Sequence, residues 1–150
     1  MTTASDPTLL DTNVLVYALF PAMPDHAASR ALLDRAKAAD ANLCVATQNL
    51  IEFFAVVTDA RRVTQVKTPD EALQAIDDFL SQPGLKLLPV PSDLIALWSQ
   101  LIRQSSATKK RAFDTQLVAT MLGSSVTRIY TFNLSDFQVF SFAGIQAMMP

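Results

Sequence analysis

One apolar run interrupted by a single carboxylate constrains this chain most: Thr8-Leu9-Leu10-Asp11-Thr12-Asn13-Val14-Leu15-Val16. Thr8 to Leu10 predict a short buried strand, and Val14 to Leu19 predict the apolar start of a helix. Asp11 then falls at the carboxyl end of a strand, the edge at which open α/β sheets bind ligands. Asp, Thr and Asn are also good helix N-caps, so capping is the competing explanation. A cap needs only one such residue and no buried approach strand.

Short apolar runs and helical patterns go on alternating down the chain. After the turn Pro21 to Asp25, Asp25 is expected to cap a helix running to about Ala39, with Ala28, Ala31, Leu32 and Ala36 inward. His26, the only histidine, reads as structural or exposed. Leu43 to Ala46 predict a second strand, and Thr47 a cap for a helix through Val57. Asp59 to Thr68 is a polar connection. Thr68-Pro69-Asp70-Glu71 spells a capping box with proline at the first helical position, and Leu73, Ile76 and Leu80 are expected to face inward. Leu85 to Val90 predict a third strand. Ser92 then caps a helix whose stripe Leu94, Leu97, Trp98, Leu101 and Ile102 belongs to the core. Ala112 to Leu122 form a further helix with Gly123 as its C-cap. Val126 to Thr131 predict a fourth strand, and the tail from Phe140 to Met149 a fifth near Ile145. This alternation predicts a three-layer α/β/α sandwich on a mostly parallel sheet of four to five strands.

Composition sets the limits. At 150 residues, half of them hydrophobic and 17% charged, the chain is one domain that can bury a core without staples. No apolar run reaches the roughly 18 residues of a membrane span. Met1 to Thr8 carries Asp6 and no basic residue, unlike a signal peptide. Cys44 is the single cysteine, so no disulfide framework is expected and a cytoplasmic location is.

The chemistry-bearing residues are carboxylates. Asp11, Asn133 and Asp136 follow predicted strands, while Glu52 and Asp114 are expected in the first turns of helices. A parallel sheet brings such positions to one edge. Glu52 lies among Ile51, Phe53 and Phe54, and buried glutamates are rare unless paired or coordinating; a surface glutamate is the bland alternative. Asp114 is also accounted for by the helix dipole. Carboxylates gathered at short range repel one another, and such clusters persist when a divalent cation sits among them. An oxygen-only donor set without histidine or cysteine suits Mg²⁺ or Mn²⁺. Two such ions about 4 Å apart serve phosphodiester hydrolysis. Net charge is −2, yet between Leu101 and Tyr130 Arg103, Lys109, Lys110, Arg111 and Arg128 surround one acid, Asp114. Lys109, Lys110 and Arg111 are placed to hold a phosphate backbone.

Four segments carry a resemblance. Leu10-Asp11-Thr12-Asn13-Val14, Gln48-Asn49-Leu50-Ile51-Glu52-Phe53, Phe113-Asp114-Thr115-Gln116-Leu117-Val118-Ala119 and Thr131-Phe132-Asn133-Leu134-Ser135-Asp136-Phe137 together resemble the PIN-domain family. Their order and spacing are most similar to VapC-type toxins of bacterial toxin–antitoxin systems. The resemblance implies a Rossmann-like fold, an endoribonuclease using a metal-activated water, a homodimer, and a cognate antitoxin that blocks the site. It implies Asp11, Glu52 and Asp114 as metal ligands. At the fourth acidic position many members carry aspartate where this chain has Asn133, which puts a second metal in doubt and makes Asp136 the compensating acid. Thr12 and Thr131 fit as hydroxyls that hold water or ligands, and Asn13 as the group orienting Asp11. The alternative is a non-catalytic PIN-like module that binds RNA or protein. An aspartyl-phosphate enzyme would want a second aspartate where Asn13 stands.

Overall fold

Both faces of the central strands are apolar, which forces helices onto both sides of the sheet. The computed structural model describes residues 5–150, so Met1 to Ala4 of the segment read above lie outside the described residues. In β1 (Thr8–Leu10) and β2 (Leu43–Ala46), Leu10, Leu43 and Val45 enter one core, while Leu9, Cys44 and Ala46 enter a second. With β3 (Leu85–Leu88), β4 (Arg128–Tyr130) and β5 (Gln146–Met148) these make a five-stranded sheet in the order β3-β2-β1-β4-β5, parallel at every pairing.

Four helices pack on the first core: α1 (Thr12–Leu19), α2 (His26–Arg35), α3 (Thr47–Val57) and α4 (Pro69–Leu80). On the opposite face α5 (Leu94–Ser105), α6 (Arg111–Gly123) and α7 (Leu134–Gln138) cover the second core. One turn of 3-10 helix, Ser141–Ala143, leads into β5. The expected three-layer sandwich is present. Strand order reverses between β1 and β4, so right-handed connections place the two halves' helices on opposite faces.

Local signals set several ends. In the capping box of α4, Thr68 Oγ1 accepts the Glu71 N–H at 3.2 Å and Glu71 Oε1 accepts the Thr68 N–H at 3.0 Å. Elsewhere tertiary contacts overrule the local pattern. The inward side of α4 is Ala72, Ala75 and Phe79, and Leu73 and Leu80 are exposed. Two apolar stripes compete on that helix, and Phe79 decides between them by packing edge-on against Phe53 of α3 at 5.2 Å. Helix α2 stops at Arg35, buries Ser29, Leu32 and Leu33, and leaves Ala31 exposed. Asp25 and Asp93, not Ser92, precede α2 and α5 without side-chain caps. Thr47 is the first residue of α3 rather than its cap. Gly123 is the last residue of α6, where a Cβ would lie 2.4 Å from Pro91 Cγ. Trp98 is a half-buried core residue whose indole N–H donates to the Ala112 carbonyl at 2.9 Å, tying α5 to α6.

Phe53→Ala is expected to cost about 3–5 kcal/mol of stability, the range for deleting a buried phenyl ring. Thr68→Ala is expected to cost about 1 kcal/mol through the lost cap. Urea unfolding of the two variants checks both.

Candidate active site

The site grows from the point where strand order reverses. Asp11 follows β1 in an extended conformation, and its N–H donates to the Tyr130 carbonyl of β4 at 3.0 Å. Its buried carboxylate is used on both oxygens. Oδ1 accepts the Thr12 N–H at 2.8 Å, capping α1, and Oδ2 accepts the hydroxyl of Thr131, just beyond β4, at 2.8 Å. Thr131 is fully buried and its Oγ1 also accepts the Asn133 N–H at 3.0 Å. Capping and site formation are thus the same interaction seen from two sides.

Glu52 lies in the second turn of α3, not the first, and is half-buried. Its supposed core neighbour Ile51 is 64% exposed, because the helix turns Leu50, Phe53 and Val57 inward instead. Glu52 Oε2 accepts the Thr12 hydroxyl at 3.0 Å, and Oε1 accepts Gln48 Nε2 at 3.0 Å. Asp114 stands half-buried in the first turn of α6, and Asp136 in the first turn of α7. Asn133 holds the N-cap place of α7 without a side-chain cap bond. Asn13 does not orient Asp11. Its Oδ1 accepts the Phe132 N–H at 3.5 Å instead.

Asp11, Glu52, Asp114, Asn133 and Asp136 all line one cleft of about 770 Å³. Burial above all raises the Asp11 carboxyl to about 6, against the lowering effect of its Thr131 and Thr12 bonds and with smaller pushes from Glu52 and Asp136. Burial likewise raises Asp114 to about 6, with Asp136, then Asp11 and Glu52, adding repulsion and Arg111 opposing it. The acids therefore form one electrostatic group, with Asp136 acting on both Asp11 and Asp114. Among the described residues no three acidic groups stand close enough to form a ready-made metal cage. Lys110 lines the cleft, Arg111 acts on Asp114 from outside it, and exposed Lys109, in a left-handed conformation (φ 57°), is not part of the lining.

Three polar residues of the site are not apparent from pattern. Arg62, in the connection after α3, lines the cleft. From the start of α3, Gln48 reaches Glu52 directly and Asn49 reaches it through the Thr12 hydroxyl. Gln48 stands four residues before Glu52, the spacing of neighbours on a helix, which was its one legible signal.

The profile of the PIN domain matches residues 8–142. The chain belongs to the PIN-domain family. Among curated PIN-domain relatives, ribonuclease VapC43 of Mycobacterium tuberculosis is 34% identical over 119 residues, covering 79% of this chain and 80% of that protein. Two solved structures share the fold. VapC20 of Mycobacterium tuberculosis, described as a sarcin-ricin loop cleaving toxin, superposes with a TM-score of 0.66 at 19% identity, covering 95% of this chain and 99% of that one. VapBC2 of Rickettsia felis, bound to a DNA fragment from its promoter, gives 0.62 at 18% identity, covering 95% and 97%. The resemblance carried by the four segments is thereby borne out for family and fold.

The raised carboxyls of this PIN domain make its stability depend on pH. A carboxyl whose pKa is higher folded than unfolded contributes stability that is complete below the unfolded value and lost as pH rises through the folded one. Without divalent ions, the melting temperature is expected to fall as pH rises from about 4.5 to about 6.5. Asp114→Asn is expected to melt above wild type at pH near 7 and to flatten that fall. Thermal melts across this window check both.

Proposed function

We propose that this PIN domain is the toxin of a VapBC-type pair, an endoribonuclease in which Asp11, Glu52 and Asp114 hold Mg²⁺ or Mn²⁺. The observation that carries this reading is the gathering of Asp11, Glu52, Asp114 and Asp136 with Lys110 and Arg62 in one cleft at the sheet's switch point. The donor set fits the ion: it is all oxygen, and its mutual repulsion leaves negative charge that a cation would neutralise. When bound, such an ion supplies a water of lowered pKa and polarises a phosphoryl oxygen.

The chain's own residues do the rest. Thr131 holds Asp11 in place through Oδ2, and Thr12 and Gln48 hold Glu52 through both of its oxygens. Lys110 and Arg62 meet the RNA phosphates from two sides of the cleft, with Lys109 and Arg111 adding positive potential outside it. Asn133 offers a neutral oxygen at the cleft's edge, and Asp136 adds the fourth charge. The apolar wall formed by Tyr17, Met23, Val56 and Val63 suits the apolar face of a helix from a cognate antitoxin. Ile51 and Val90, exposed on the rim of a smaller groove, suit a homodimer contact. No helix among the described residues is long and apolar enough to cross a membrane.

A non-catalytic RNA- or protein-binding module is the second reading, favoured by Asn133 at the fourth acidic position. Cleavage of a structured-RNA pool in Mg²⁺, Mn²⁺ or EDTA separates the two. The nuclease reading expects cleavage that EDTA abolishes and that Asp11→Ala or Asp114→Asn lowers about a hundredfold or more, the scale of removing one stabilising group from a reacting centre. Unchanged cleavage in Asp11→Ala overturns the assignment of the ligands. No cleavage together with no Mn²⁺ binding moves the protein to the module.

A further inference from the structure

Asn49 is fully buried beneath the site, and both its amide oxygen and its amide nitrogen are hydrogen-bonded. Its Oδ1 accepts the N–H of Ala46, at the end of β2, at 2.9 Å. That bond fixes which way round the amide lies, because a backbone N–H can only donate. Nδ2 must then be the group that faces Thr12, and it donates to Thr12 Oγ1 at 3.2 Å. A hydroxyl has one hydrogen to give and lone pairs to receive. With a lone pair taken by Asn49, the hydrogen of Thr12 is free to point at Glu52 Oε2, which lies 3.0 Å away.

We propose that Asn49 is a positioning residue: it sets the direction of the Thr12 hydroxyl and so fixes the Glu52 carboxylate at the cleft. The direction of every bond in the chain Ala46–Asn49–Thr12–Glu52 is determined by its first member, a backbone group of the sheet. The carboxylate at the far end is thereby referred to the β2 terminus rather than to its own helix alone.

The other oxygen of Glu52 is held in the same sense. Gln48 Nε2 donates to Glu52 Oε1 at 3.0 Å and to the Phe113 carbonyl of α6 at 2.9 Å. Two acceptors use both amide hydrogens, and Gln48 Oε1 is left buried without a partner. That orphan shows that the amide's orientation follows the two acceptors, not its own satisfaction. Glu52 thus receives donors on both oxygens, one directed from β2 and one bridging to the helix that carries Asp114. The role assigned to Glu52 here rests on its reading as a cation ligand.

The test uses full-length protein carrying Thr12→Ser, Thr12→Val, Asn49→Asp, and Thr12→Val with Asn49→Asp. An aspartate at position 49 still accepts from Ala46, but its second oxygen draws the Thr12 hydrogen away from Glu52. Calorimetric Mn²⁺ affinity is expected to fall about tenfold in Thr12→Val and in Asn49→Asp, the scale for groups that orient metal ligands. The double variant is expected to lose no more than the weaker-binding single one, because both changes break the same link. Thr12→Ser keeps the hydroxyl and is expected to stay within about twofold of wild type. Asn49→Ala removes the donor without adding charge, and the same fall is expected of it if the aspartate variant does not fold. Losses that add in the double variant, or Asn49 variants that bind Mn²⁺ as wild type does or better, overturn the assignment. Crystal structures of the metal-free variants supply the second readout: Glu52 is expected to leave Thr12 in Thr12→Val and in the Asn49 variants, and to stay in Thr12→Ser. If Glu52 moves as expected in a protein that binds no Mn²⁺, the cation reading falls while the positioning role stands; an unmoved Glu52 in the Asn49 variants overturns the positioning role itself.

Discussion

The bond from the Thr131 hydroxyl to Asp11 Oδ2, 2.8 Å long and buried, joins the ends of the two strands between which the sheet changes direction. An isolated carboxylate in that position would be costly, because burial disfavours its charged form and leaves its oxygens without water. Thr131 and the Thr12 N–H return part of that loss. The same two bonds orient the group across the cleft mouth. Helices α1 and α7, which leave from these strand ends, take their starting points from this corner. The remaining acids are arranged around it.

The site is consequently a place where stability is held down for chemistry. Asp11 and Asp114 both sit well above the usual carboxylate range, through burial and through Glu52 and Asp136, with Asp11 also acting on Asp114. Among the described residues no lysine or arginine forms an ion pair with them; the salt bridges there involve Asp6, Asp34 and Asp59 instead. Lys110 and Arg62 line the cleft without closing onto the acids, which leaves the carboxylates open to a cation and the bases open to phosphate. Hydrogen bonds rather than charges hold the acids in place, and hydroxyl and amide donors can fix an oxygen without neutralising it.

Much of the fold was legible in order and kind: strands at Thr8–Leu10 and Leu43–Ala46, the capping box at Thr68, and an all-apolar pair of sheet faces. The misread helix faces share one cause. On α4 and α2 two apolar stripes fit a helical period, and only the surface offered by the neighbouring layer selects one. Phe79 wins over Leu80 because Phe53 is there to receive it. Exposed Ile51 beside half-buried Glu52 is the same effect at the site, for a helix's rotation about its axis is set by what it packs on.

The candidate ligands were legible because acids interrupting apolar runs at strand ends and helix starts are expensive, and that expense shows as pattern. Their partners were not. Thr131 meets Asp11 across 120 residues of chain, and Asn49 meets Thr12 across 37. Small polar residues such as these suit many local roles equally well, as Asn13, bonded to the Phe132 N–H rather than to Asp11, shows. The sequence by itself determined which side chains carry charge and which chain segments bury apolar surface, since both follow from residue type and spacing. Only the tertiary structure decided which donor faces which acid, because a hydrogen bond depends on direction over about 3 Å, and direction comes from packing.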